Sequence, residues 1–323
     1  MKKELEALKR LLKIEEENYN KKIQAFLIMS RRNEKFLTLA NIDLNGKSIK
    51  ELKLLFKEVL ESGMHGLCSS PYVENQQPGD ELNEEQIRRR LEIMKPYTKW
   101  IRSFSCTEGN EMIPKIAKEM GMKTLVGAWL GDDYEINKKE INNLIELAKQ
   151  GYVDVAAVGN EVMYRGDLTE EELLEYIYDA KKKIPDTVPV GYVDAYYEFT
   201  ERPAITDACD VILANCYSFW EGCDQDYSLL YMKDMYNRAL KAGNGKKVII
   251  TETGWPSEGT NLEGAYPSEE NAIKYFINTQ KWSKEEAIDI FYFSSFDESW
   301  KVGSEGDVGA YWGLWDKNEN LKY

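Results

Sequence analysis

One histidine, His65, serves all 323 residues. A single imidazole cannot build a multi-histidine metal centre or an H-E-x-x-H protease, so no metal is expected. The five cysteines, Cys68, Cys106, Cys209, Cys216 and Cys223, contain no C-x-x-C pair and no set with zinc-ligand spacing. An odd number reads as reduced thiols. No glycine-rich phosphate turn follows the first apolar run, which removes the usual mark of a doubly wound nucleotide-binding sheet. Positive charge is scarce as well. Lys and Arg number 42 against 56 Asp and Glu, and the net charge of −14 repels phosphate backbones and anionic lipid. Nucleic acid is not expected as a partner. Residues 1–30 are charged throughout, and Ala25 to Met29 is too short an apolar run for a membrane span or a signal-peptide core. The expectation is a cytoplasmic protein with no membrane span.

What is present is apolar and aromatic material, 43% hydrophobic and 12% aromatic, enough for a large core. From Gly63 onward, short apolar runs alternate with amphipathic segments, which read as strands and helices. Eight strands are expected, within residues 65–70, 100–105, 124–130, 153–161, 188–195, 210–217, 247–252 and 288–296. Helix starts stand at Asn83, at Asn137, at Thr169 with Glu172 as a capping box, and at Ser268, while Gly121 and Gly151 suit left-handed helix ends. The pattern predicts an α/β fold, a (β/α)8 TIM barrel over residues 63–323 with an N-terminal helical extension over 1–62.

After the eighth strand no amphipathic helix follows, so one groove of the barrel is left uncovered. Residues 48–62 carry an S-x-x-E cap at Ser48 and Glu51 and an apolar stripe of Ile49, Leu52, Leu55, Phe56 and Val59, and this helix is expected to fill the groove. Residues 1–30 read as a further packed helical stretch.

Barrel chemistry sits at the C-terminal ends of strands, so polar residues closing apolar runs are informative. Asn160 and Glu161 close the fourth strand and Glu252 closes the seventh. Read as facing one another across the barrel, strands four and seven bring these carboxylates together over the cavity. Such a pair suits retaining glycosidic cleavage, with Glu161 as acid/base and Glu252 as nucleophile, and the Asn160 amide can bond a sugar 2-hydroxyl. Glu298 and Lys301 after the eighth strand are candidates for sugar hydroxyls. Arg102, awkward inside the apolar second strand, is expected to orient a carboxylate. Aromatic candidates for the cleft include Tyr72, Tyr217, Trp220, Trp255 and Trp300, because rings with apolar faces suit pyranose stacking. His65, at the start of the first strand, reads as a stability residue.

At these residues the chain resembles glycoside hydrolase family 17, the β-1,3-glucanases, in the microbial form. The similarity runs from Gly63 to Trp315 through SSPY at Ser69, VGNEV around Glu161, VIITETGWPSEG around Glu252, FDESWK at Phe296 and YWGLW at Tyr311. It differs at Ser218 and Ser299, where proline is common. The resemblance implies retention of configuration, no cofactor, and β-1,3-glucan or its oligosaccharides as substrate, with Glu252 as nucleophile and Glu161 as acid/base. Some members transfer glucan to a sugar acceptor instead of water, and a non-catalytic glucan-binding barrel is the remaining alternative.

Overall fold

The computed structural model describes Leu44 and residues 46–303 and 305–323. The helical stretch expected over residues 1–30 lies outside the described residues. Leu44–Tyr323 form one compact unit.

Eight parallel strands close a barrel in chain order: β1 (Met64–Cys68), β2 (Thr98–Ser103), β3 (Lys123–Ala128), β4 (Val155–Asn160), β5 (Val190–Ala195), β6 (Val211–Asn215), β7 (Lys247–Thr253) and β8 (Ile290–Tyr292). β8 pairs with β1 to complete the ring. The helices are α1 (Ile49–Glu61), α2 (Glu84–Met94), α3 (Met112–Glu119), α4 (Tyr134–Lys149), α5 (Val162–Arg165), α6 (Glu170–Lys183), α7 (Glu198–Glu201), α8 (Pro203–Ala208), α9 (Ser228–Gly243) and α10 (Glu269–Glu285). No helix among the described residues is long and apolar enough to cross a membrane.

The caps follow side-chain chemistry. Asn83 caps α2, Ser268 caps α10, and Ser48/Glu51 and Thr169/Glu172 form capping boxes on α1 and α6. Gly121 and Gly151 take positive φ of 81° and 82° just past α3 and α4. Asn137 is the exception. α4 begins one turn earlier, capped by Asp133, and the Asn137 amide closes a loop by bonding both N–H and C=O of Gly131 at 2.9 and 2.7 Å. β8 is shorter than its apolar run suggests, because Ser294 N–H leaves the ladder for the Trp312 carbonyl before Ser295 N–H returns to that of Cys68 at the end of β1.

α1 packs on α10, the neighbour of the place where a helix after β8 would lie. Phe56 sets its ring 4.7 Å from Phe276 and 5.0 Å from Tyr323, and Lys53 pairs with Glu269 at 2.9 Å. Leu52, Phe56, Val59 and Leu60 are buried there. Full burial of each is worth about 1.5–3 kcal/mol, and the exposed ion pair adds less than about 1 kcal/mol, so the apolar stripe holds the helix in place. At the opposite end from the strand termini, His65 Nδ1 meets Asp289 at 3.0 Å and its ring stacks on Trp100, consistent with a structural histidine.

Candidate active site

β4 and β7 stand three places apart on the barrel wall, not opposite one another, with β5 and β6 between them. Their terminal carboxylates still meet, for two local reasons. The β6–β7 ladder skips Thr251, so Asn215 pairs with Glu252, a bulge that re-aims the side chain at the strand end. At the end of β4 the register with β5 also shifts, Gly159 takes φ 83°, and Glu161 enters the left-handed region at φ 52°, ψ 32° before the single turn of α5. A Cβ on Gly159 would lie 2.9 Å from Val162 Cγ2, so glycine is required in this approach.

Asn215 spans the pair. Its Nδ2 donates to Glu161 Oε1 at 2.8 Å and to Glu252 Oε1 at 2.9 Å, while Thr251 Oγ1 donates to its Oδ1 at 2.8 Å and fixes the amide orientation. Sharing one nitrogen, the two Oε1 atoms lie within 5.7 Å of each other.

Glu252, 6% exposed, accepts three donors: Arg102 Nη1 at 2.7 Å and Asn215 on Oε1, and the Tyr217 hydroxyl at 2.8 Å on Oε2. Burial and the neighbouring Glu252 charge push the Tyr217 hydroxyl far above its usual value, so it remains a donor. Arg102 is 1% exposed and also donates to the Thr251 carbonyl and to Asn160 Oδ1, at 2.9 and 2.6 Å, with its guanidinium over Phe104. These bonds hold the Glu252 carboxylate and the Asn160 amide in place. Because arginine only donates, it must face Asn160 Oδ1, which leaves Nδ2 to donate outward. Glu161 has a carboxyl that its surroundings shift. Burial first, then the charge of Glu252, push its carboxyl up to about 7, while the Asn215 bond pulls the other way.

The chain after β8 supplies a second group. Lys301 Nζ pairs with Glu298 at 3.1 Å and lies 4.1 Å from the centroid of Phe293; both charged residues are buried. Burial opposes the lysine charge, but Glu298 and Glu305 hold its pKa above the ordinary value. Trp300 Nε1 donates to Glu298 Oε1 at 3.3 Å, and Tyr72 meets the Trp300 ring edge-on at 5.9 Å. Phe293 joins this group to Tyr217, whose ring is 6.0 Å away.

The aromatic candidates divide. Trp220 is 41% exposed and leans on Trp312, a free face for a ligand ring. Trp255 is 1% exposed, donates its Nε1 to the Tyr266 carbonyl, and packs against Phe219 and Tyr275. It is a core residue behind the wall and not a stacking platform. Trp220→Ala is expected to lower kcat/KM by up to about tenfold on long oligosaccharides and less on short ones, with little change in Tm. Trp255→Ala should instead cost about 3–5 kcal/mol of stability and slow all chain lengths alike. Kinetics on two chain lengths beside thermal melts separate the two.

Sequence reasoning missed Asn215, although it closes the apolar run VILAN as Asn160 closes its own. It also missed Glu140 of α4. This buried carboxylate accepts the Ser105 and Thr107 hydroxyls at 2.6 Å each and the N–H groups of Cys106 and Trp129 at 2.8 and 3.0 Å, tying together the loops after β2 and β3. Among the described residues, no cluster of three or more His, Cys, Asp or Glu could hold a metal ion.

A closed parallel barrel carrying two carboxylates over its strand ends has the architecture of a glycoside-cleaving enzyme. The model of the BtgE/BtgC glycoside hydrolase domain matches residues 66–313, and the chain belongs to that family of enzymes. It is 29% identical over 257 residues to a glucan 1,3-β-glucosidase of Saccharomyces cerevisiae, covering 72% of this chain and 82% of the relative. A Candida albicans protein of the same description is 30% identical over 262 residues, with 72% and 83% covered. Among solved structures, a glycoside hydrolase family 17 β-1,3-glucanosyltransferase from Rhizomucor miehei superposes with a TM-score of 0.73 at 29% identity, covering 81% of this chain and 96% of the other. An active-site mutant of that enzyme has been solved with laminaritriose.

Proposed function

We propose that this protein is a retaining β-1,3-glucan-active enzyme of the glycoside hydrolase family 17 type, with Glu252 as nucleophile and Glu161 as acid/base. The observation that carries the reading is the single Asn215 amide nitrogen shared by both carboxylates. A donor shared in this way supports a close pair of carboxylates, as retention requires, rather than the wider pair of an inverting enzyme.

The donors assign the steps. Oε1 of Glu252 is engaged by Arg102 and Asn215, so Oε2, which among the described residues accepts only from Tyr217, has the free lone pair and attacks the anomeric carbon. As the glycosidic bond breaks, Glu161 gives its proton to the departing oxygen; its raised pKa keeps that proton available near neutral pH. The covalent ester then forms through Oε2. In the second step Glu161, now a carboxylate, takes a proton from the incoming hydroxyl, which attacks the same carbon and releases Glu252. Asn160 Nδ2 is placed to donate to the sugar 2-hydroxyl, a bond that strengthens as positive charge grows on the ring. Lys301 and Glu298 stand beside Phe293 to meet hydroxyls of the same sugar.

Water gives hydrolysis and a glucan hydroxyl gives transfer. The likeness to the R. miehei glucanosyltransferase supports transfer as a second outcome of the same ester. Laminari-oligosaccharides incubated with the enzyme, with products read by mass spectrometry and early proton NMR, test both. First products of β configuration are expected, and products longer than the substrate identify transfer. First products of α configuration, or no action on β-1,3 linkages, would overturn the reading.

A further inference from the structure

Behind Glu161, on β5, lie Tyr192 and Asp194, both fully buried, with no sequence signal to draw them into the site. Asp194 Oδ2 accepts a short hydrogen bond from the Tyr192 hydroxyl and a weaker one from Tyr164 N–H at 3.4 Å, and Oδ1 accepts Ala195 N–H at 2.7 Å. The Tyr192 oxygen in turn accepts Met163 N–H at 2.9 Å. The two residues thus hold N–H groups of α5, the single turn that starts at Glu161 and would otherwise leave those donors without partners. Among the described residues no cation is bonded to Asp194; its partners there are neutral donors. An anion buried without a counter-ion is costly, so its placement next to a second carboxyl calls for a reason.

We infer that Asp194 is a positioning residue for Glu161: through Tyr192 it holds the turn that aims Glu161, and, one residue past the Val193 carbonyl that Glu161 N–H bonds at 2.7 Å, it sets a second carboxyl next to that residue. The inference rests on Glu161 being the acid/base. Around Glu161 stand Glu252 from β7 and Asp194 from β5, which favour the protonated form, and Arg102 from β2, which opposes it. Around Asp194 stand Tyr192 on its own strand, Tyr197, and Glu198 of α7, the last bound to Arg202 at 2.6 Å. Burial lifts the Asp194 carboxyl to about 6, and the Tyr192 bond counters part of that rise. As pH passes 6 Asp194 therefore gains its charge, and that charge holds the Glu161 proton to higher pH.

Asp194→Asn keeps the shape and removes the charge. The basic limb of kcat/KM on laminaritetraose should move down by about half a unit to one unit, a loss of about threefold to tenfold above neutral pH. On dinitrophenyl laminaribioside, whose leaving group needs no proton, kcat/KM should change less than about twofold, since this constant reports only the steps through glycosylation. Tyr192→Phe breaks the link to Met163 and takes a donor from Asp194, which delays its ionisation; it should lower the laminaritetraose plateau and again spare the activated substrate. It keeps the inference testable should Asp194→Asn fail to fold. Glu161→Gln, run in parallel, checks the underlying assignment. If Glu161→Gln slows both substrates equally, the acid/base reading fails. If Glu161→Gln discriminates between substrates but a folded Asp194→Asn leaves the limb in place, or either β5 variant slows both substrates equally, the inference is overturned and the first reading survives.

Discussion

Glu252→Gln is expected to remain folded and to lose on the order of 10⁴-fold or more in turnover on laminari-oligosaccharides. The amide preserves size, and the surrounding donors dictate its orientation. Arg102 and Asn215 require an acceptor, so the amide oxygen takes the place of Oε1, and the amide nitrogen faces Tyr217, whose oxygen can accept. The position of attack is thereby filled by an amide nitrogen, whose lone pair is delocalised into the carbonyl and does not attack the sugar carbon. Loss of the charge leaves Arg102 with uncharged partners among the described residues: the Thr251 carbonyl, the Asn160 amide, the Cys68 sulfur and the Phe104 ring. A fall in Tm of several degrees should accompany the substitution, because a buried guanidinium loses its counter-ion. Single-turnover mass spectrometry with an activated fluoride donor gives the decisive reading. The wild type should carry a glycosyl adduct on Glu252, and the variant none. A folded variant that turns over within about tenfold of wild type would remove Glu252 from the mechanism.

The barrel was legible because its strands are continuous apolar runs, buried on both faces, and because Ser48, Asn83, Thr169 and Ser268 announce helix starts by side-chain chemistry that acts within one turn. Local signals fail where a competing local partner exists. Asn137 has the right side chain for a cap, but the Gly131 backbone claims it, and Asp133 starts the helix instead. The two central carboxylates and Arg102 could be read from sequence because charge at such positions is expensive and must be justified. The route by which they meet could not. It depends on a skipped residue in the β6–β7 ladder and a left-handed glutamate after Gly159, neither of which alters composition or periodicity. Trp255 and Trp220 look alike in sequence, both following a strand end. Only packing shows that Phe219 and Tyr275 close over the first while the second keeps an open face. Asp194 was hidden for a related reason. A lone aspartate closing a strand has no spacing to mark it, and its meaning comes from the turn it holds on a different segment of chain.

Glu161→Ala should lower kcat/KM on laminari-oligosaccharides by about 10²–10⁴-fold, while an activated dinitrophenyl glycoside still forms the covalent ester, because its leaving group departs without a proton. That ester should then accumulate, as no base remains to activate water. Azide needs no base, and the methyl side chain opens space beside the Asn215 amide for a small anion. Added azide is therefore expected to raise turnover of the activated substrate tenfold or more and to yield a glycosyl azide of β configuration, identified by proton NMR. The wild-type pH profile carries the same assignment. With the Glu161 carboxyl lifted to about 7, the rate on oligosaccharides should fall above neutral pH, and this limb should vanish in the variant on activated substrate. A stability reading follows from the same shift. A carboxyl raised from an ordinary 4.5 to about 7 binds its proton more tightly in the folded chain. Its contribution to stability is complete below the unfolded value and is lost as pH rises through the folded one, at most about 3 kcal/mol in all. Glu161→Gln, which cannot ionise, should therefore melt higher than wild type at pH 8 and lose that advantage at pH 4. Absence of azide rescue on a substrate that still forms the ester, together with parallel melting of Glu161→Gln and wild type at both pH values, would show that Glu161 is neither the acid/base nor a carboxyl held protonated by its surroundings.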